Sequence, residues 1–175
     1  MSAIILDLMT TVTCFFTIYQ DFKNRSVNVY VLVSFIALAL LQLISNYQYH
    51  ALKYATVNLA ILLSIFILQT VFISIKKKRL VNPVNKTIGL FDILLLVLLC
   101  CWFSPKNFLY FFIGSLTVAL FHVVFQKIFV KKNTLFIPLA AYICIFFLVC
   151  MVVKNIFQLN FYDDSFFKAV AGKMI

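Results

Sequence analysis

Six stretches of roughly 17–25 mainly apolar residues follow one another along the 175-residue chain, at about 3–20, 27–46, 54–75, 86–104, 107–130 and 134–154. This is the length an α-helix needs to cross about 30 Å of hydrocarbon at 1.5 Å per residue. In lipid a backbone must satisfy its own polar groups, so such segments become helices. Composition agrees: 65% of residues are hydrophobic and 11% are charged. A soluble domain of this size cannot cover such a core with so little polar surface. These numbers exclude a water-soluble enzyme, a disordered tail and a disulfide-stapled module. The expected fold is an all-α integral membrane protein, a polytopic bundle of about six transmembrane helices over 1–154. The first stretch lacks a basic leader and a small-residue cleavage site, so it reads as a retained span. A short outward-facing tail follows at 155–175. It is either an interfacial helix, with Phe166, Phe167, Val170 and Met174 near helical spacing after an Asp164 cap, or disordered.

Several chemistries have no residues to carry them. Three Gly and three Pro leave no room for a glycine-rich phosphate loop or a proline-rich linker. Cys14, Cys100, Cys101, Cys144 and Cys150 sit in apolar runs and form no C-x-x-C pair, so they read as packing residues. His50 and His122 have no companions at metal spacing and read as structural. No metal or cofactor is expected. The net charge of +10 does not mark nucleic-acid binding, because no basic face carries interleaved stacking aromatics outside the apolar spans.

The charge instead sets topology. Lys23 and Arg25 lie in the first connection, Lys76, Lys77, Lys78, Arg79 and Lys86 in the third, and Lys127, Lys131 and Lys132 in the fifth. Against these ten, the other side carries five: Lys53, Lys106, Lys154, Lys168 and Lys173. The positive-inside bias places connections one, three and five in the cytoplasm and both termini outside. The Lys76–Arg79 run reads as a stop-transfer and orientation signal, with anionic-lipid recognition as the functional alternative.

The chain has no Glu and five Asp: Asp7, Asp21, Asp92, Asp163 and Asp164. Asp163 and Asp164 belong to the polar tail. Asp7, near the outer end of the first span, reads as a snorkelling or capping residue. Asp21 and Asp92 differ. One ends the first span and the other lies about 9 Å of helix beyond Lys86, so both belong to the cytoplasmic side at similar depth. Carboxylates are expensive within a membrane and mark function there. Two that meet share a proton: one takes a proton from water while the other polarises a carbonyl. A proton relay or an ion site would use the same residues.

A resemblance favours the hydrolytic reading. The stretch Gln20-Asp21-Phe22-Lys23-Asn24-Arg25-Ser26-Val27 resembles the first motif of the type IV prepilin peptidase family. There an Asp ends a catalytic helix, before a short basic loop and an Ile or Val. Ile88-Gly89-Leu90-Phe91-Asp92 is similar to the second motif, and Phe136-Ile137-Pro138-Leu139-Ala140-Ala141 resembles the start of the family's last helix. The likeness covers about 15–150, with its specific content in some twenty residues. It implies a membrane aspartic endopeptidase that clips the leader of prepilin-like proteins at the cytoplasmic face of a bacterial-type inner membrane, for a type IV pilus or secretion system. Asp21 and Asp92 are then the catalytic residues. The chain looks like the short form without the zinc-binding methyltransferase region, so no methylation is expected. It departs from the family in having Phe91 where Gly is common, Leu94 where Lys is common, and Asn28-Val29 where Pro-Asn is common.

Four residues would support the pair. Gly89 either relaxes a helix start so that Asp92 can reach, or packs two spans; its spacing favours the first. Pro138 either bends the last span toward the site or is an ordinary first-turn proline. Lys23 and Arg25 would steady a carboxylate or a substrate, roles that topology also explains. The expected partners are a prepilin-like membrane protein and the bilayer; the oligomeric state is left open. Two other readings use the same acids, a non-catalytic scaffold of a pilus or secretion machine and a small proton-coupled transporter.

Overall fold

In a computed structural model, residues 3–45, 49–78, 89–130, 137–163 and 166–167 are described. Arg79, Lys86, Ile88, Lys131, Lys132, Phe136, Asp164, Lys168, Val170, Lys173, Met174 and the His50 side chain, all named above, lie outside this set. All regular structure among the described residues is helical. The elements are α1 (Ala3–Asn24), α2 (Val29–Ser45), α3 (Tyr49–Lys77), α4 (Leu90–Leu99), α5 (Pro105–Phe125) and α6 (Leu139–Phe157). A π-helical segment, Gln126–Val130, continues α5. Among the described residues, three stretches are long and apolar enough to cross a membrane: Ala51–Lys77, Pro105–Ile128 and Leu139–Phe157.

The fourth segment is shorter than the sequence suggests. Expected over 86–104, its helix occupies Leu90–Leu99, a rise of about 15 Å. Pro105 sets a limit that α4 cannot pass. It opens α5 as the first helical residue and disfavours helix at Ser104 before it. The chain tightens first, with Cys101 N–H bonding Leu98 O and Trp102 N–H bonding Leu99 O. Even so, α4 and its turn link the start of α6 with the chain that folds back after it. Asp92 lies by the start of α6, and Ser104 N–H donates to Phe161 O just beyond its end.

α1 and α6 form an antiparallel pair pinned at both ends. At one, Lys154 Nζ sits 2.8 Å from Asp7 Oδ2, both half-buried. At the other, Ala141 N–H donates to Asp21 Oδ2 at 2.8 Å. The spacing matches: Asp7 to Asp21 rises about 21 Å and Ala141 to Lys154 about 20 Å. Between the pins, Thr10, Cys14 and Thr17 continue the line from Asp7 to Asp21 in steps of three and four, and all three are buried. Cys144 of α6 sits against Cys14 and Thr17. Each threonine hydroxyl turns back onto its own helix, Thr10 to Leu6 O and Thr17 to Thr13 O. The stripe is therefore polar in sequence but presents small, satisfied groups to α6.

An aromatic core holds the other end of the bundle. Phe103 stacks on Phe111 with ring centroids 4.7 Å apart, and Phe147 and Phe161 close around them. Phe161 and Phe166, in the stretch read as an outward tail, are buried here, and the boundary expected at 154 falls inside α6. Asn58 of α3 ties in by donating to Cys100 O and Phe103 O. Gly114 lets α5 approach α6, since a methyl there would run into the Phe146 ring. Gly114→Ala is expected to lower stability by about 1–3 kcal/mol, read from equilibrium unfolding in detergent.

Candidate functional site

Four orphan amides open every helix, and away from water each needs an acceptor. At the start of α6 the partners come from three places. Pro138 takes φ −72° and ψ 75°, an inverse γ-turn in which Leu139 N–H bonds back to Ile137 O at 2.8 Å. The Ala140 amide bonds the Asp92 carboxylate, and the Ala141 amide donates to Asp21 Oδ2. The fourth, Tyr142 N–H, reaches Pro138 O at 3.4 Å. Two carboxylates from distant helices thus cap adjacent amides of one helix, and their charges act on each other. The positive end of the α6 dipole favours negative charge at this place.

Each acid is delivered by its own local structure. Asp21 lies in the last turn of α1, where Arg25 N–H closes the helix on Asp21 O with Arg25 in the left-handed region at φ 52°. Its residue is only 7% exposed. Asp92 is the third residue of α4 and accepts from the Gly89 amide at 3.2 Å, half of a capping box. Gly89 is needed here for space and not for its backbone angles, φ −66° and ψ 143°. A Cβ would lie 2.9 Å from Asp92 Oδ2 and push the carboxylate off.

The other candidates take distinct positions. Pro138 shapes the helix start that receives both acids. Lys23 lies on the exposed side of α1, where its ammonium donates to Tyr19 Oη at 2.9 Å. Arg25 is exposed at the end of α1. Asn28 caps α2, its Oδ1 accepting from Tyr30 N–H. Phe91 is half-buried and packs against the core beside Asp92. Asp7 proves to be the ion-pair partner of Lys154, which also sits 5.4 Å from the Phe161 ring centroid.

Sequence reasoning passed over a polar group next to the acids. Tyr142, one residue after Ala141, is buried, and its hydroxyl hydrogen-bonds His122 Nδ1 of α5. His122 Nε2 in turn lies 3.2 Å from Gln126 Nε2. The only sequence signal was a histidine inside an apolar helix. Among the described residues no group of three or more His, Cys, Asp or Glu is arranged to hold a metal ion.

The chain matches no protein-family model, no curated protein and no solved structure.

Capping and charge separate experimentally. Asp21→Ala leaves the Ala141 amide without an acceptor and should cost about 1–3 kcal/mol in unfolding experiments. Asp21→Asn keeps an oxygen for that amide and should cost clearly less.

Proposed function

We propose that the chain is a membrane aspartic endopeptidase of the prepilin peptidase kind, in its short form. It would cleave the N-terminal leader of prepilin-like membrane proteins at the cytoplasmic face of an inner (plasma) membrane. One observation carries the reading: Asp21 and Asp92, 71 residues apart in sequence, meet on adjacent amides of one helix start. The motif resemblance names the same two residues.

The chemistry needs only these acids and a water. The ionised carboxylate takes a proton from the water as its oxygen bonds to the scissile carbonyl carbon. The protonated carboxyl gives its proton to the carbonyl oxygen. The resulting diol collapses: the C–N bond breaks, the first acid returns its proton to the leaving amine, and the second recovers one from the diol. The first-turn amides hold both carboxylates throughout, a form of preorganisation.

Topology follows the same reading. Six segments would cross the bilayer, the fourth as a short helix plus turn, with the N-terminus outside. Lys23, Arg25, Lys76, Lys77, Lys78 and Lys127 are exposed, and a six-span topology would put them on the same side as Asp21 and Asp92. That excess of positive charge supports a cytoplasmic site. The substrate's apolar helix would lie beside the bundle, opening locally to free its scissile amide.

The second reading is a non-catalytic scaffold that binds prepilin-like helices. One observation favours it: both carboxylates already serve as helix caps, a role that involves no reaction. The test is leader cleavage. The purified chain in lipid is given a prepilin-like substrate, and the products are followed by mass spectrometry. Asp21→Asn and Asp92→Asn should each lose about 10²–10⁴-fold in rate while staying folded. Gly89→Ala, which displaces the Asp92 carboxylate, should lose about 10²-fold. No cleavage by the parent chain across several substrates, with binding retained by both Asn variants, would favour the scaffold.

A further inference from the structure

We infer that His122 and Tyr142 are positioning residues that hold the first turn of α6, and through it the Asp21–Asp92 pair. The inference rests on the peptidase reading for its effect on catalysis, but its geometric part stands apart from it.

An ionisable side chain inside an apolar, membrane-length helix is expensive and is kept for a purpose. His122 is such a residue, within the Pro105–Ile128 stretch, and both its ring nitrogens have polar partners. Tyr142 projects from the turn whose amides bind the two acids. Its ring is gripped on two sides. Phe22, next to Asp21, meets it edge-on with centroids 5.6 Å apart, and the His122 ring lies 5.0 Å away. Its hydroxyl ends on His122. One residue thereby ties the starting turn of α6 to both α1 and α5.

That turn has little internal hold. Its first closing bond, Tyr142 N–H to Pro138 O, is long at 3.4 Å, and the proline before it contributes no N–H. External contacts therefore set its orientation: Asp21 from α1, Asp92 from α4 and the His122–Tyr142 bond from α5. The first two are the groups that would react, so they cannot also serve as fixed references. The third is free to do so. A shift of about 1 Å in the amides would carry the carboxylates with it, enough to cost about 10²-fold in rate. The Gln126 contact fixes the imidazole from its other side, where α5 passes into the π-helical segment, a feature frequent at functional sites.

The test uses the full chain in lipid, labelled with ¹⁵N-alanine, and the variants Tyr142→Phe, His122→Leu and His122→Gln. Tyr142→Phe keeps the ring and its packing and loses only the hydroxyl. The Ala141 amide proton, which reads the bond to Asp21, should move upfield in Tyr142→Phe and His122→Leu and stay near the parent position in His122→Gln. With a cleaved substrate, the first two should lower kcat about tenfold with KM little changed, and His122→Gln should restore most of the rate. The double variant Tyr142→Phe/His122→Leu should be no worse than either single one, as expected for two members of one interaction. An Ala141 resonance unmoved in both Tyr142→Phe and His122→Leu overturns the inference. A resonance that moves as expected in a chain that cleaves nothing upholds the positioning role and removes the peptidase reading.

Discussion

The first turn of α6 presents amides that its own helix cannot satisfy, in surroundings where water is scarce. Much of the arrangement follows from that requirement. Pro138 turns one amide back on the preceding carbonyl, and Asp92 and Asp21 take the next two. For α1 and α4 to deliver those acids, both must have an end at the start of α6. The same contacts satisfy a structural need and bring together two groups capable of acid–base chemistry. A helix start is suited to both, because its dipole favours negative charge and its amides point outward to receive it.

The far end of the α1–α6 pair is held differently. Asp7 and Lys154 form an ion pair, half-buried, with the lysine also close to the Phe161 ring. Pairs of this kind fix register more dependably than they add stability, since removing charges from water costs much of what their attraction returns. The nearly equal rises from Asp7 to Asp21 and from Ala141 to Lys154 let both ends engage at once. The threonine and cysteine stripe between them keeps the helices close without leaving a hydroxyl unbonded. The aromatic core around Phe103 and Phe147 then secures α5 and the chain beyond α6.

Particular residues show how far sequence reasoning reached. Asp21 and Asp92 stood out because an acid at the edge of an apolar run has a high desolvation cost, and so needs a reason. Gly89 stood out by its spacing from Asp92, and it proves to leave room for that carboxylate. The Thr10–Cys14–Thr17 stripe was readable as a three-and-four repeat, yet hydroxyls hide in hydropathy patterns because they bond to their own backbone. Phe161 and Phe166 follow a polar break and look like part of a tail, but the αL turn at Gln158 folds them back under the bundle. The short α4 was hidden inside a long apolar run, whose length does not show that the chain leaves the α-helix after Leu99 for tighter turns at Cys101 and Trp102.

By itself the sequence determined that the chain is helical, apolar along its length, and marked by two acids that do not belong in lipid. Those are properties of residue type and period, which act locally. Only the tertiary structure decided which amides the acids would meet, that Lys154 would answer Asp7, and that Tyr142 would reach His122. Those pairings depend on helix register and rotation, set by the packing of segments far apart in the chain. No local pattern encodes the choice among the many registers that would bury the same apolar surface.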